Sequence, residues 1–188
     1  MKTFILFTTL FITCTAVAFA QKKDYVITLK GDTIQCSISK PLIGAPRYKV
    51  NGGENIAIHP DSISEYYRAN KKLRCRAVYN GDTTKPEFMT VVENGTVSLY
   101  EVVNTYYNGT VTTSTKNWYV GKGSNRVSEL KTSALLFLDK SRKDRKDEFA
   151  NMLQDKHEIY DTYIKQKKFS FKQIQKLVHW YNTGEKMD

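Results

Sequence analysis

Phe88-Met-Thr-Val-Val-Glu-Asn-Gly-Thr-Val-Ser-Leu-Tyr-Glu-Val-Val103 is the stretch whose reading decides the fold. Two runs rich in β-branched and apolar residues flank Asn94-Gly95. That dipeptide tolerates the positive φ angles of a two-residue type I′ turn, so the segment reads as a β-hairpin. On the second arm Val97, Leu99 and Val103 should face one way, and Thr96, Ser98 and Tyr100 the other.

Similar grammar extends in both directions. Upstream, residues 25–39 alternate around Lys30-Gly31-Asp32, and prolines and Gly44 break the pattern over 41–46. Short strands are expected at 47–50 and 56–58, then a pair over 63–68 and 73–79 closed by Asn80-Gly81-Asp82. Downstream, 104–116 is rich in Thr, Asn and Tyr, and reads as a long loop or an exposed ribbon tipped by Asn108-Gly109. A last hairpin should join 118–120 to 126–130 across Gly121-Lys122-Gly123. Roughly nine to eleven short strands with frequent turns predict an antiparallel meander, curled into a barrel or folded into two sheets.

After Asp139 the period changes from two to about 3.6. Phe149, Met152 and Leu153 form one stripe, and Ile159, Tyr160, Tyr163 and Ile164 a second. Phe171, Ile174, Leu177, Val178 and Tyr181 form a third. Asp155 with Glu158 and Ser170 with Gln173 have capping-box spacing, and Gly184 suits a helix C-cap. Two or three helices are therefore expected, their stripes packed on the sheet or on each other. The predicted class is α+β: residues 1–20 a leader, 21–138 an antiparallel β domain, 139–188 a helical segment packed on it.

The leader reading rests on Lys2, the apolar run 4–13 and the small-x-small site Ala18-Phe19-Ala20. Cys14 offers the lesser alternative of a lipid anchor, disfavoured because Thr13 precedes it where a small residue is wanted. The five-residue run Ala134-Leu135-Leu136-Phe137-Leu138 is far too short to span a membrane, so no transmembrane segment is expected after the leader. The expected address is periplasmic or secreted. The formal charge of +10 is spread along the chain without a basic block, which favours a solvated surface over a nucleic-acid footprint. Export would let Cys36 and Cys75 form a disulfide, although both also suit buried positions in strands.

Catalytic and metal signatures are not found. The three histidines, His59, His157 and His179, have no partners at metal-ligand spacing. There is no Gly-x-Ser-x-Gly elbow and no phosphate-loop spacing, and no cofactor is expected. Aromatic doublets make a better case. Tyr66, Tyr67, Tyr100, Tyr106, Tyr107, Trp118 and Tyr119 could present flat apolar area with hydrogen-bonding tips to a sugar or a protein. The plainer reading of each doublet is one ring in the core and one on the sheet's outer face. Asn94-Gly95-Thr96 and Asn108-Gly109-Thr110 match an N-glycosylation pattern and are also ordinary turns.

Several segments together resemble a large group of uncharacterised exported proteins of Bacteroidota-type bacteria. They are Tyr25-Val26-Ile27-Thr28-Leu29-Lys30-Gly31-Asp32-Thr33-Ile34, His59-Pro60-Asp61-Ser62-Ile63-Ser64-Glu65-Tyr66, Asn94-Gly95-Thr96-Val97-Ser98-Leu99-Tyr100, and 174–178 leading into Tyr181-Asn182. The resemblance implies an envelope address and a β-rich domain with a helical tail, without an assigned activity. It also implies O-glycosylation at Asp-Ser/Thr sites, for which Thr33, Ser62 and Thr83 stand in the right context. The expected function is a non-catalytic exported cell-envelope protein binding a protein or glycan partner. A hydrolase of envelope polymers is the alternative.

Overall fold

The computed structural model describes residues 23–41, 44–133, 141–166 and 170–187. The leader, Cys14 and the run 134–138 lie outside them. Eleven strands precede three helices among the described residues. The class is α+β, an antiparallel strand-rich sheet followed by C-terminal helices.

The strands are β1 (Tyr25–Thr28), β2 (Thr33–Gln35), β3 (Ser37–Ser39), β4 (Arg47–Lys49), β5 (Ile56–Ala57), β6 (Ile63–Arg68), β7 (Leu73–Asn80), β8 (Glu87–Glu93), β9 (Val97–Tyr107), β10 (Thr112–Lys122) and β11 (Arg126–Thr132). Eight form one sheet in the order β11-β10-β9-β8-β7-β6-β1-β2, and β3-β4-β5 form a second. Six neighbouring strands thus follow chain order from β6 to β11, as short turns between antiparallel strands require. Right-handed twist curls this sheet until Arg126-Val127 of β11 lie parallel to Tyr79-Asn80 of β7. That pairing is two residues long at one end, so the curl is not a closed barrel.

Alternation along each strand gives the curled sheet two apolar faces. The inner face holds Val78, Met89, Tyr100 and Val127. The outer face is covered twice. The small sheet packs over Val26, Ile63, Tyr66 and Cys75. The helices α1 (Arg142–Leu153), α2 (His157–Lys165) and α3 (Phe171–Thr183) pack over Val97, Leu99, Trp118 and Val120. The helical stripes supply the other half of that core through Phe149, Leu153, Ile159, Tyr163, Ile174, Leu177, Val178 and Tyr181.

Several local expectations hold and others are corrected. Ser170 and Gln173 form a reciprocal capping box, and Gly184 ends α3 in the left-handed region at φ 79°. The 104–116 segment is a ribbon, paired from Lys116↔Val103 to Thr112↔Tyr107. Asp155, however, caps nothing: Lys156 is the N-cap of α2, without a side-chain bond. Asp155 instead accepts from Lys122 Nζ (2.8 Å) and Tyr181 Oη (2.6 Å), tying the α1–α2 link to β10 and α3. In the last hairpin Gly121 and Lys122 belong to β10, and the turn falls on Gly123, Ser124 and Asn125.

The central hairpin forms where expected, but not for the expected reason. Its link is Asn94, Gly95 and Thr96, and neither Asn94 nor Gly95 takes a positive φ. A β-bulge between Val91 and Glu93 absorbs the register, with Val91 opposite Tyr100 and Glu93 opposite Leu99. Glycine is needed at 95 because α3 arrives there. A Cβ on Gly95 would lie 2.3 Å from Asn182 Cγ. The Asn182 carboxamide uses that space to accept from Val97 N (3.1 Å) and donate to Val97 O (2.8 Å). It thereby occupies both backbone groups of Val97 as a strand partner does.

Candidate functional site

The structure disperses the seven aromatic residues expected at a binding face. Tyr100 is enclosed within the inner face, and Tyr66 packs edge-on against Phe88 at 5.0 Å beneath the small sheet. Trp118 is covered by α3, with Phe171 at 4.7 Å, and its Nε1 donates to Glu101 Oε2 at 2.7 Å. Tyr66, Tyr100 and Trp118 therefore offer no open surface. The expectation of an aromatic outer face presumed that one side of the sheet is bare; here both sides are covered. Tyr67 and Tyr119 are half-buried, and Tyr67 stacks on Tyr25 at 5.4 Å. Tyr106 and Tyr107 remain, exposed by 62% and 71%.

These two rings sit on the distal half of the β9–β10 hairpin. The pairing of β8 with β9 ends at Thr90↔Glu101, and that of β11 with β10 begins at Asn117↔Thr132. Beyond those points the ribbon's strands pair with each other. On the β8 side, the outer edge of β9 from Val102 to Tyr107 has no strand partner among the described residues. The ribbon is ordered by its own bonds. Asn108 Oδ1 accepts from Thr110 N (3.1 Å) and Val111 N (2.8 Å), Thr105 and Ser114 hydroxyls meet at 3.0 Å, and Tyr107 Oη donates to the Gly109 carbonyl at 2.7 Å.

Its chemistry is unusual for this chain. Residues 102–115 contain no charged side chain, in a protein whose formal charge is +10. The charges at its base, Glu101 and Lys116, neutralise each other at 2.8 Å. Val103 and Val111 are exposed along with the tyrosines. Sheet edges in soluble proteins are commonly protected by lysine, proline or brevity. β2 and β5 are protected by brevity, being three and two residues long. The β9 edge carries none of these protections.

A second feature escaped the sequence reading. A cleft of about 1210 Å³ separates the end of the main sheet from the small sheet. Lys23, Lys49 and Lys72 line it together with Gln35, Asn51 and Asn70. Asp24 in its wall is already committed: Oδ1 accepts from Ala69 N (2.7 Å) and Oδ2 from Ile38 N (2.8 Å). These residues come from loops and strand ends scattered over fifty positions, so no motif could announce them.

Cys36 also lines this cleft, and Cys75 lies in the core beneath the small sheet. The candidate disulfide is not formed; both are free thiols. Cys36 is held at the β2 edge, its N–H donating to the Asp24 carbonyl at 3.1 Å, while Cys75 belongs to β7. With β1 and β6 between β2 and β7, three strand spacings amount to about 14 Å, beyond disulfide reach. Burial, with the Asp24 charge adding to it, pushes the Cys36 thiol up to about 11, so it stays protonated at neutral pH. Burial likewise raises Cys75, whose Sγ lies 3.9 Å from Thr90 Oγ1.

The remaining candidates are placed as follows. Thr33, Ser62 and Thr83 are all exposed, Thr33 on short β2 and the others in turns. His59 lies between β5 and β6, His157 on α2 and His179 on α3, with His179 Nδ1 3.5 Å from Glu93 Oε2. No group of three or more His, Cys, Asp or Glu among the described residues is arranged to hold a metal. No described helix is long and apolar enough to cross a membrane. Compared with protein-family models, curated proteins and solved structures, the chain matches none.

Proposed function

We propose that this is a non-catalytic exported cell-envelope protein that docks an extended, uncharged strand of another envelope protein along the outer edge of β9. The observation that carries the reading is the unpaired β9 edge at 102–107, uncharged and flanked by the exposed rings of Tyr106 and Tyr107. An added strand would satisfy the open N–H and C=O groups of that edge. Its side chains would pack beside the tyrosines, so main-chain bonds supply affinity and the rings supply selectivity. An uncharged partner fits because a charged one would lose hydration there without gaining a counter-charge.

The test has two parts in the native host. Intact mass from the envelope fraction should give a chain beginning at Gln21, and a chain retaining residues 1–20 would sink the export half. A photo-crosslinking residue at Asn104 should give one discrete adduct, abolished by Tyr106→Lys, which places a charge on the edge. An adduct indifferent to Tyr106→Lys, or none at all, would sink the docking half.

A further inference from the structure

We propose that the cleft between the small sheet and the end of the main sheet binds a segment of acidic polysaccharide. This stands apart from the β9 edge and would survive its failure.

Three lysines converge on the cleft from separate parts of the chain: Lys23 ahead of β1, Lys49 at the end of β4, and Lys72 after the 3-10 turn Ala69–Lys71. None has an ion-pair partner among the described residues, whereas Lys116, Lys122 and Lys186 elsewhere are paired. The Asp24 carboxylate of the wall, held by two backbone amides, offsets only one of the three charges, so the lining keeps a net positive charge. The cleft therefore presents positive charge in a concave space, where it acts more strongly than on an open surface.

Size and lining narrow the ligand. A volume of about 1210 Å³ exceeds the usual range for one small metabolite and suits a polymer segment. The same lining carries the carboxamides of Gln35, Asn51 and Asn70, each able to donate to and accept from hydroxyls. Tyr67 adds a half-buried ring whose other face is stacked on Tyr25. Amide groups together with cations match a chain of hydroxyl-bearing rings that carries anions. A single-stranded nucleic acid calls for several stacking rings and arginine, and one ring with lysines fits it poorly.

The experiment is calorimetric titration of the protein at low salt with oligogalacturonate and with its methyl ester, which keeps the hydroxyls and removes the charge. The acid should bind, weakening as salt rises, and the ester should not. Lys49→Gln and Lys72→Gln should each weaken binding by about tenfold, the usual scale for one charge-assisted contact. Lys85→Gln and Lys143→Gln, exposed lysines outside the cleft, should leave it unchanged. Absence of binding, equal binding of acid and ester, or equal losses in the control variants would overturn the site. Tighter binding of inorganic polyphosphate than of oligogalacturonate would overturn the choice of sugar.

Discussion

Gly95 shows how one residue can be placed correctly for the wrong reason. Asn-Gly between apolar runs marks a turn, and a turn is there, but the glycine serves the close approach of Asn182. Gly95→Ala puts a methyl 2.3 Å from Asn182 Cγ, so the carboxamide must leave and both bonds to Val97 go with it. The expected loss is about 2 kcal/mol in urea unfolding. The effect should be strongly non-additive with Asn182→Ala, because each change removes the same contact. Additive losses would disprove that account. Glu65 is the residue-scale counterpart in the main sheet. It is 3% exposed and accepts from Arg74 Nε (2.6 Å), Arg76 Nη2 (2.9 Å) and Tyr25 Oη (3.3 Å). Glu65→Ala leaves two guanidinium groups facing each other near a covered face. It should cost about 3 kcal/mol, with denaturation midpoints recovering in part if Arg74 is also replaced.

The helical layer is held on by apolar stripes, by the Asn182 bonds to Val97 and by a polar node at Asp155. Lys122 Nζ reaches both the Met152 carbonyl and Asp155 at 2.8 Å, and the Tyr181 hydroxyl binds the other Asp155 oxygen. Lys156 Nζ donates to the Tyr181 carbonyl and also lies 4.7 Å from the centre of its ring. The hydrogen bonds of Lys122 and Tyr181 hold the Asp155 carboxyl below its ordinary value. A carboxylate depressed in the folded state stabilises above its unfolded pKa, and that contribution is lost as pH falls through the lower, folded value. Docking of α3 should therefore loosen in acid below about pH 4. Near-UV circular dichroism should show this loosening, and Asp155→Asn should remove the acid dependence. If the variant keeps the same acid limb, another carboxylate is responsible.

For the whole molecule the alkaline limb carries the clearer signal. Burial raises the Cys36 thiol from 9.0 to about 11 and the Tyr163 phenol from 10.0 to about 12, with Asp147 adding to the latter, and Tyr66 is raised further still. A pKa raised by folding means that the folded state holds its proton longer. Stability is then complete below the unfolded value and is lost as pH climbs through the folded one. Urea midpoints should hold up to about pH 9 and fall progressively between pH 9 and 12. Cys36→Ala should flatten the first part of that decline, and tyrosine absorbance should show a late component from Tyr66 and Tyr163. A single tyrosine transition near pH 10 would contradict the packing of Tyr66 and Tyr163.

Strand positions, the two-state grammar of β then α, the Ser170–Gln173 cap and the third helical stripe were legible along the chain. All follow from short-range rules: side-chain period, turn chemistry and amide satisfaction at helix ends. The ribbon at 104–116 was legible as one of two options, since Thr, Asn and Tyr suit either an exposed strand or a loop. What only the tertiary structure decided is which face each residue shows and to what. Tyr66, Tyr100 and Trp118 are core because both sides of the sheet are covered. Asp155 is a tether and not a cap because β10 and α3 pass beside it. Cys36 and Cys75 stay apart because strand order inserts β1 and β6 between their strands. Lys23, Lys49 and Lys72 line one cleft because the small sheet folds beside the end of the main one. Local chemistry acts over a few residues and can be read in one dimension, whereas burial and charge convergence depend on distances that exist only once the chain has closed on itself.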